Sequence, residues 1–202
     1  MVSSYPVQFD VDFPTRPLDR LTTALRIVAA IPIVIVLSTL TSTVVHDHTG
    51  GITLAAGILF LPLVLMLVFR QKYPRWWYDW NLNFLRFSNR VTAYLALLDD
   101  RYPSTDEEQS VHLDFAYPDA RQLNRWLPLV KWLLAIPHYV VLFFLWIASV
   151  LAVIIAWFAI LFTGRYPRDL FRFVVGVLRW TNRVNAYAFA LVTDQYPPFR
   201  LS

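Results

Sequence analysis

Residues 73–94, YPRWWYDWNLNFLRFSNRVTAY, align without a gap on residues 166–187, YPRDLFRFVVGVLRWTNRVNAY, sharing Tyr-Pro-Arg, Leu-Arg, Asn-Arg-Val and Ala-Tyr. Upstream, Ala30-Ile31-Pro32 matches Ala135-Ile136-Pro137, and Arg20 matches Arg125. Downstream, Asp100-Arg101-Tyr102-Pro103 matches Asp194-Gln195-Tyr196-Pro197. Self-similarity on this scale marks two copies of one structural unit, here residues 1–104 and 105–202. Within the quoted segments, Trp77, Trp80, Phe84, Phe87, Val91, Tyr94 and Leu98 recur at spacings of three and four, and so do Leu170, Phe173, Val177, Trp180, Val184, Tyr187 and Leu191. That period predicts amphipathic helices over 76–98 and 169–192.

What surrounds these helices sets their environment. Of the 202 residues, 57% are hydrophobic and 16% charged, a balance that points to a membrane protein. Two apolar stretches in the first half predict spans over 21–41 and 52–69, and the second of these carries no charge. In the second half, the 37 residues from Leu127 to Thr163 would form a helix of about 55 Å, too long for one crossing. They are expected to fold as a hairpin, with spans 127–146 and 149–163 and a turn near Trp146 to Ser149. Ahead of the spans, apolar and polar residues alternate over 5–13 and 111–117, which predicts one short strand in each half. The strands are expected to pair antiparallel.

The expected fold class is therefore an all-α integral membrane protein with a small β element. It consists of two pseudo-two-fold repeats, each a strand, a two-span hairpin and an interfacial amphipathic helix. An even number of spans per unit gives both units one orientation. All 18 Lys and Arg lie outside the expected outer loops: three up to Arg26, nine from Arg70 to Lys131 and six from Arg165 to Arg200. Positive charge is retained on the cytoplasmic side, so both termini and the middle segment are expected there, in a multi-pass protein of the bacterial inner membrane. The N-terminus lacks the pattern of a signal peptide. Arg172, Arg179 and Arg183 would each cost about 2.5–3.5 kcal/mol at the bilayer centre, which argues against the amphipathic helices crossing.

Chemistry is sparse. There is no cysteine, which excludes disulfides, thiolate catalysis and zinc-thiolate or iron-sulfur sites. No glycine-rich phosphate loop, nucleophile elbow or HExxH motif is present. The histidines are His46, His48, His112 and His138; the His46-Asp47-His48 cluster reads as a solvated loop, so no metal or cofactor is expected. Arg26 and Lys131 align across the repeat and are expected to snorkel to the headgroups. The candidate contact residues are Arg86, Arg90, Arg179 and Arg183, which pair at i and i+4 on one helix face, with Trp77, Trp80 and Trp180 on the apolar face. Guanidinium forks suit lipid phosphates or an acidic partner, while pairing with Asp10, Asp12, Asp100, Asp114 or Asp194 is the competing reading.

FTGRYPRDLFRFVVGVLRWTNRVNAYAFALVTDQYPPF (162–199), preceded by LLAIPHYVVLFFLWIASVLAVIIAWFAIL (133–161), resembles the DUF4389 family of bacterial membrane proteins, and the first half resembles it more weakly. The resemblance implies a multi-span membrane protein and transfers no catalytic residue. The expected function is non-catalytic: an accessory or structural subunit of a membrane complex, or a lipid-organising protein. Expected partners are membrane lipids, anionic ones among them, and other membrane subunits, with no nucleic acid. The alternative is a small transporter or channel acting as an oligomer.

Overall fold

A computed structural model describes residues 5–41, 63–105, 107 and 109–202. The loop at 42–51 and most of the expected span 52–69 lie outside the described residues. The chain forms strand β1 (Val7–Val11), helix α1 (Arg20–Thr41), a π-helical segment at Met66–Arg70, helix α2 (Arg75–Leu95), strand β2 (Val111–Phe115) and helices α3 (Leu127–Leu134), α4 (Ile136–Thr163) and α5 (Arg168–Ala188). Among the described residues the fold is mostly helical, with one two-stranded sheet.

Proline and leucine punctuate both amphipathic helices. Pro74 and Pro167 hold extended backbone at the N-caps, with φ fixed by the ring, so the helices start at Arg75 and Arg168. Beyond the last helical turns, Leu97 and Leu191 adopt left-handed backbone at φ 65° and 55°. Such a conformation costs a non-glycine residue on the order of 1 kcal/mol. Both leucine side chains are buried, which offsets that cost.

β1 and β2 pair antiparallel, with Val7 opposite Phe115, Phe9 opposite Leu113 and Val11 opposite Val111. Both strands bury alternate residues, so Val7, Phe9, Val11, Val111, Leu113 and Phe115 form one apolar face. That face lies on the amphipathic helices, β1 against α5 and β2 against α2. Each strand therefore packs on the helix of the other half of the chain.

The hairpin expected within 127–163 is replaced by a continuous helix. α4 runs unbroken through Trp146, Ile147, Ala148 and Ser149, none of which is a helix breaker, and the one interruption falls at Ala135. Pro137 accounts for the break, because it has no N–H for the carbonyl four residues back, at Leu133, and its ring crowds that turn.

α1 runs antiparallel along α2: Arg26 meets Tyr94, and Ala30 and Ile33 pack with Phe87 and Val91. α3 and α4 likewise run antiparallel along α5, with Lys131 at Tyr187 and His138 at Trp180. The start of α1 also touches the end of α4, where Arg20 Nη2 donates to the Phe162 carbonyl (3.2 Å) and Trp157 Nε1 to the Thr23 carbonyl (3.1 Å). Among the described residues, two helical stretches, Arg20–Ser38 and Leu127–Thr163, are long and apolar enough to cross a membrane, and the most apolar part of each is only 22% buried. The expected layering, amphipathic helices beneath separate spans, gives way to apolar helices laid along amphipathic ones.

Candidate functional site

The arginine rows of α2 and α5 meet the ribbon. Arg179 donates from Nε to the Phe9 carbonyl (2.8 Å) and from Nη1 to the Leu201 carbonyl (3.1 Å), and its Nη2 pairs with Asp10 Oδ1 (2.9 Å). At the aligned position, Arg86 Nε donates to the Leu113 carbonyl (2.9 Å) and Nη2 lies 3.6 Å from Asp114 Oδ1. Phe9 and Leu113 face each other in the ribbon, so the two arginines clamp one residue pair from opposite edges. A two-stranded ribbon has only edge strands, and its outward carbonyls need donors.

One turn further on, Arg90 Nη1 donates to the Ser104 carbonyl (2.7 Å), and Arg183 Nη1 lies 3.4 Å from the Arg200 carbonyl. Arg183 is 7% exposed, with its guanidinium 5.9 Å from the Tyr5 ring centre. Burial lowers its pKa from the usual arginine value, and the neighbouring charges of Arg200 and Arg179 act in the same direction. These four arginines, expected as an open basic surface, are instead bonded within the molecule.

The three tryptophans separate. Trp80 stacks on Trp77 and Phe84, with ring centres 5.6 and 5.3 Å apart, and Trp76 lies edge-on to Trp77 beside them. With Trp76 and Trp80 exposed, this is an aromatic surface at the start of α2. Trp180, expected on a contact face, is instead buried and donates from Nε1 to His138 Nδ1 (3.1 Å). Phe199 stacks on that imidazole, ring centres 4.0 Å apart, and lies edge-on to Trp180.

Arg26 and Lys131 do not snorkel. They are 2% and 0% exposed, and each clamps the exit of the neighbouring amphipathic helix. Arg26 donates to the carbonyls of Tyr94 (3.0 Å) and Asp99 (2.7 Å), pairs with Asp100 and covers the Tyr94 ring. Lys131 Nζ donates to the Thr193 carbonyl (2.6 Å), pairs with Asp194 (2.7 Å) and lies over the Tyr187 ring. The second oxygens of Asp100 and Asp194 accept from the backbone N–H groups of Asp19 and Asn124. The alignment of Arg26 with Lys131 and of Asp100 with Asp194 was the available signal for these clamps.

A third reciprocal contact joins the halves. Asn89 Nδ2 donates to Asn182 Oδ1 (2.8 Å), and Asn182 Nδ2 donates to Asn89 Oδ1 (2.7 Å), both side chains buried. Beside the ribbon, a cleft of about 520 Å³ is bordered by Asp10, Asp12, Arg168, Arg172 and Arg179, a mixed set in which carboxylates offset the arginines. His46 and His48 lie outside the described residues. The arrangement supplies structural clamps and charged clefts.

The family model of DUF4389, a domain of unknown function, matches residues 126–200, the part of the chain that holds α3, α4 and α5. No curated protein and no solved structure matches the chain.

Proposed function

We propose that this DUF4389 protein is a non-catalytic integral membrane protein of the bacterial cytoplasmic membrane, acting as an accessory subunit of a membrane complex or as an organiser of lipid. The observation that carries the reading is the bare outer face of α4. Val140, Phe143, Phe144, Val150, Leu151, Ile154, Ile155 and Phe158 are all exposed there, and Leu25, Ile27, Val28, Ile31 and Ile35 are exposed on α1. A soluble protein rarely leaves more than a few hundred Å² of contiguous apolar surface in water, so hydrocarbon is the natural cover for these faces.

We read the two halves as pseudo-two-fold copies. The Asn89–Asn182 pair, the ribbon register centred on Phe9 and Leu113, and the paired clamps of Arg26 and Lys131 support this reading. The membrane then lies along α1 and α4, while α2, α5 and the ribbon form a body on the cytoplasmic side. Two facts support one-sidedness: the distribution of Lys and Arg, and the seating of both flanks of α3–α4 on the same body, Asn124 at Asp194 and Tyr166 in the core with the ribbon. Cysteines at Ser110 and Ser202 test it. Both should react with an impermeant maleimide only after cells are lysed, and labelling of either in intact spheroplasts contradicts the proposal. Stoichiometric proteins or lipids co-purifying in mild detergent fit the accessory role, whereas ion flux in liposomes favours an oligomeric channel.

A further inference from the structure

We infer that a cleft at the junction of α1 and α4 binds the phosphate of an anionic phospholipid headgroup. This inference rests on the membrane reading above and adds a ligand class and a site to it. The cleft encloses about 420 Å³ and is bordered by Phe13, Thr15, Arg16, Arg165, Tyr166 and Arg168. That volume suits a headgroup of glycerophosphate size.

Charge distinguishes this cleft from its neighbour. Three guanidinium groups border it and no carboxylate does, whereas Asp10 and Asp12 border the larger cleft beside it. Arg16 also borders a third cleft that contains Asp12 and Asp99, yet among the described residues no carboxylate oxygen comes within 4.0 Å of Arg16, Arg165 or Arg168. Arginine forks left without carboxylates match the oxygens of a phosphodiester.

A second observation is independent of charge. Tyr166 is 3% exposed, and its buried hydroxyl has no hydrogen-bond partner. A buried, unpaired hydroxyl carries a desolvation cost that a ligand oxygen would remove. The aligned site in the first half is closed from within. There the Tyr73 hydroxyl donates to the Ala190 carbonyl (2.6 Å), and the Tyr117 hydroxyl donates to the Tyr73 carbonyl. Phe13 stands where Tyr117 stands in the other copy. Arg168 lies over Phe13 as Arg75 lies over Tyr117, so the site retains the cation and lacks the hydroxyl that would close it.

Location selects a lipid over a soluble phosphate. The Leu18 N–H donates to the Gly164 carbonyl and Arg20 to the Phe162 carbonyl, which fixes the cleft where the bare apolar helices α1 and α4 meet. An acyl chain leaving the cleft has the exposed Phe162 and the outer face of α4 to follow.

Native mass spectrometry of the detergent-purified full chain tests the site, using phosphatidylglycerol and phosphatidylcholine of matched acyl chains. The chain should retain phosphatidylglycerol preferentially, and inorganic phosphate at equal concentration should not displace it. The variant R16Q/R165Q/R168Q, all at exposed positions, should bind at least about tenfold more weakly. The aligned control K72Q/R75Q/R121Q, with the same loss of charge, should bind like the wild type. Y166F, which leaves the charge intact, should weaken binding roughly fivefold without lowering the melting temperature, and it serves if the triple variant fails to fold. Equal loss in both triple variants, undiminished binding in Y166F, or equal retention of phosphatidylcholine overturns the site. Displacement by inorganic phosphate assigns it to a soluble anion and overturns the lipid. Release of the wild-type chain from membranes by alkaline carbonate would instead overturn the membrane reading on which the site rests.

Discussion

Arg26 meets two carbonyls and Asp100, while Lys131 meets one carbonyl and Asp194, so a guanidinium and an ammonium perform the same clamp in the two halves. Arg26→Met takes the cation from the part-buried Asp100, which keeps only its bond from the Asp19 N–H, and takes the side-chain donor from the Asp99 carbonyl, and it should cost about 3–5 kcal/mol. Arg26→Lys restores the arrangement seen at Lys131 and should cost only about 1 kcal/mol, as read from thermal melts in detergent. The pair was visible in the sequence as aligned cations. Their burial was not, because the acceptors lie 62 to 74 residues away, beyond the ends of other helices. Tyr5, Tyr73 and Tyr166 have phenols pushed above the ordinary value of 10.0, with burial the largest cause in each. A pKa raised by folding contributes stability that is complete below the unfolded value and is lost as pH rises through the folded one. Stability should therefore be insensitive to these groups at neutral pH and fall above about pH 10, with tyrosinate absorbance appearing together with unfolding. Tyrosinate formation at pH 10 in the intact fold contradicts their burial.

Among the elements, the strands and amphipathic helices were legible because their periods of two and 3.6 residues stand out, and the structure moves their ends by a few residues: 7–11 for 5–13, 111–115 for 111–117, 75–95 for 76–98 and 168–188 for 169–192. α4 was not legible as one helix. Reasoning from bilayer thickness asks a 37-residue stretch to turn, but Trp146 to Ser149 contain neither glycine nor proline, and local helix propensity prevails. The choice of helix for each strand was equally hidden, since alternation shows which face is apolar and not what covers it. α5 also seats the segment that follows it. A Cβ on Gly176 would stand 2.9 Å from Leu201 Cβ and 3.0 Å from its carbonyl oxygen, which accepts from Arg179. Gly176→Ala should lift residues 198–202 from α5 at a cost of about 1–3 kcal/mol, seen as faster hydrogen exchange there with the ribbon unchanged. Unchanged exchange at Leu201 contradicts that close approach.

At the scale of the molecule, the halves meet through buried amides, and Asn89→Leu should destabilise by about 1–3 kcal/mol because Asn182 loses its partner. The double variant N89L/N182L should cost less than the sum of the two single variants, with a coupling of roughly 0.5–3 kcal/mol. Strict additivity contradicts the junction. The repeat was legible in the aligned Tyr-Pro-Arg and Asn-Arg-Val segments, but Arg86 and Arg179 bond to the ribbon, Arg90 and Arg183 to the Ser104 and Arg200 carbonyls, and the carboxylate-free cleft draws on Arg16 from one half and Arg165 and Arg168 from the other. Residues so far apart in sequence share no local pattern. The central claim is that the bare faces of α1 and α4 are covered by lipid while α2, α5 and the ribbon stay outside the hydrocarbon. Spin-label accessibility to oxygen and to a water-soluble nickel chelate, scanned along residues 138–160 in reconstituted bilayers, tests it most directly. The account predicts oxygen contact at Val140, Phe144, Leu151, Ile155 and Phe158 with an unbroken helical period through Trp146 to Ser149. Nickel contact on that face, or a water-exposed break at Trp146 to Ser149, would contradict it.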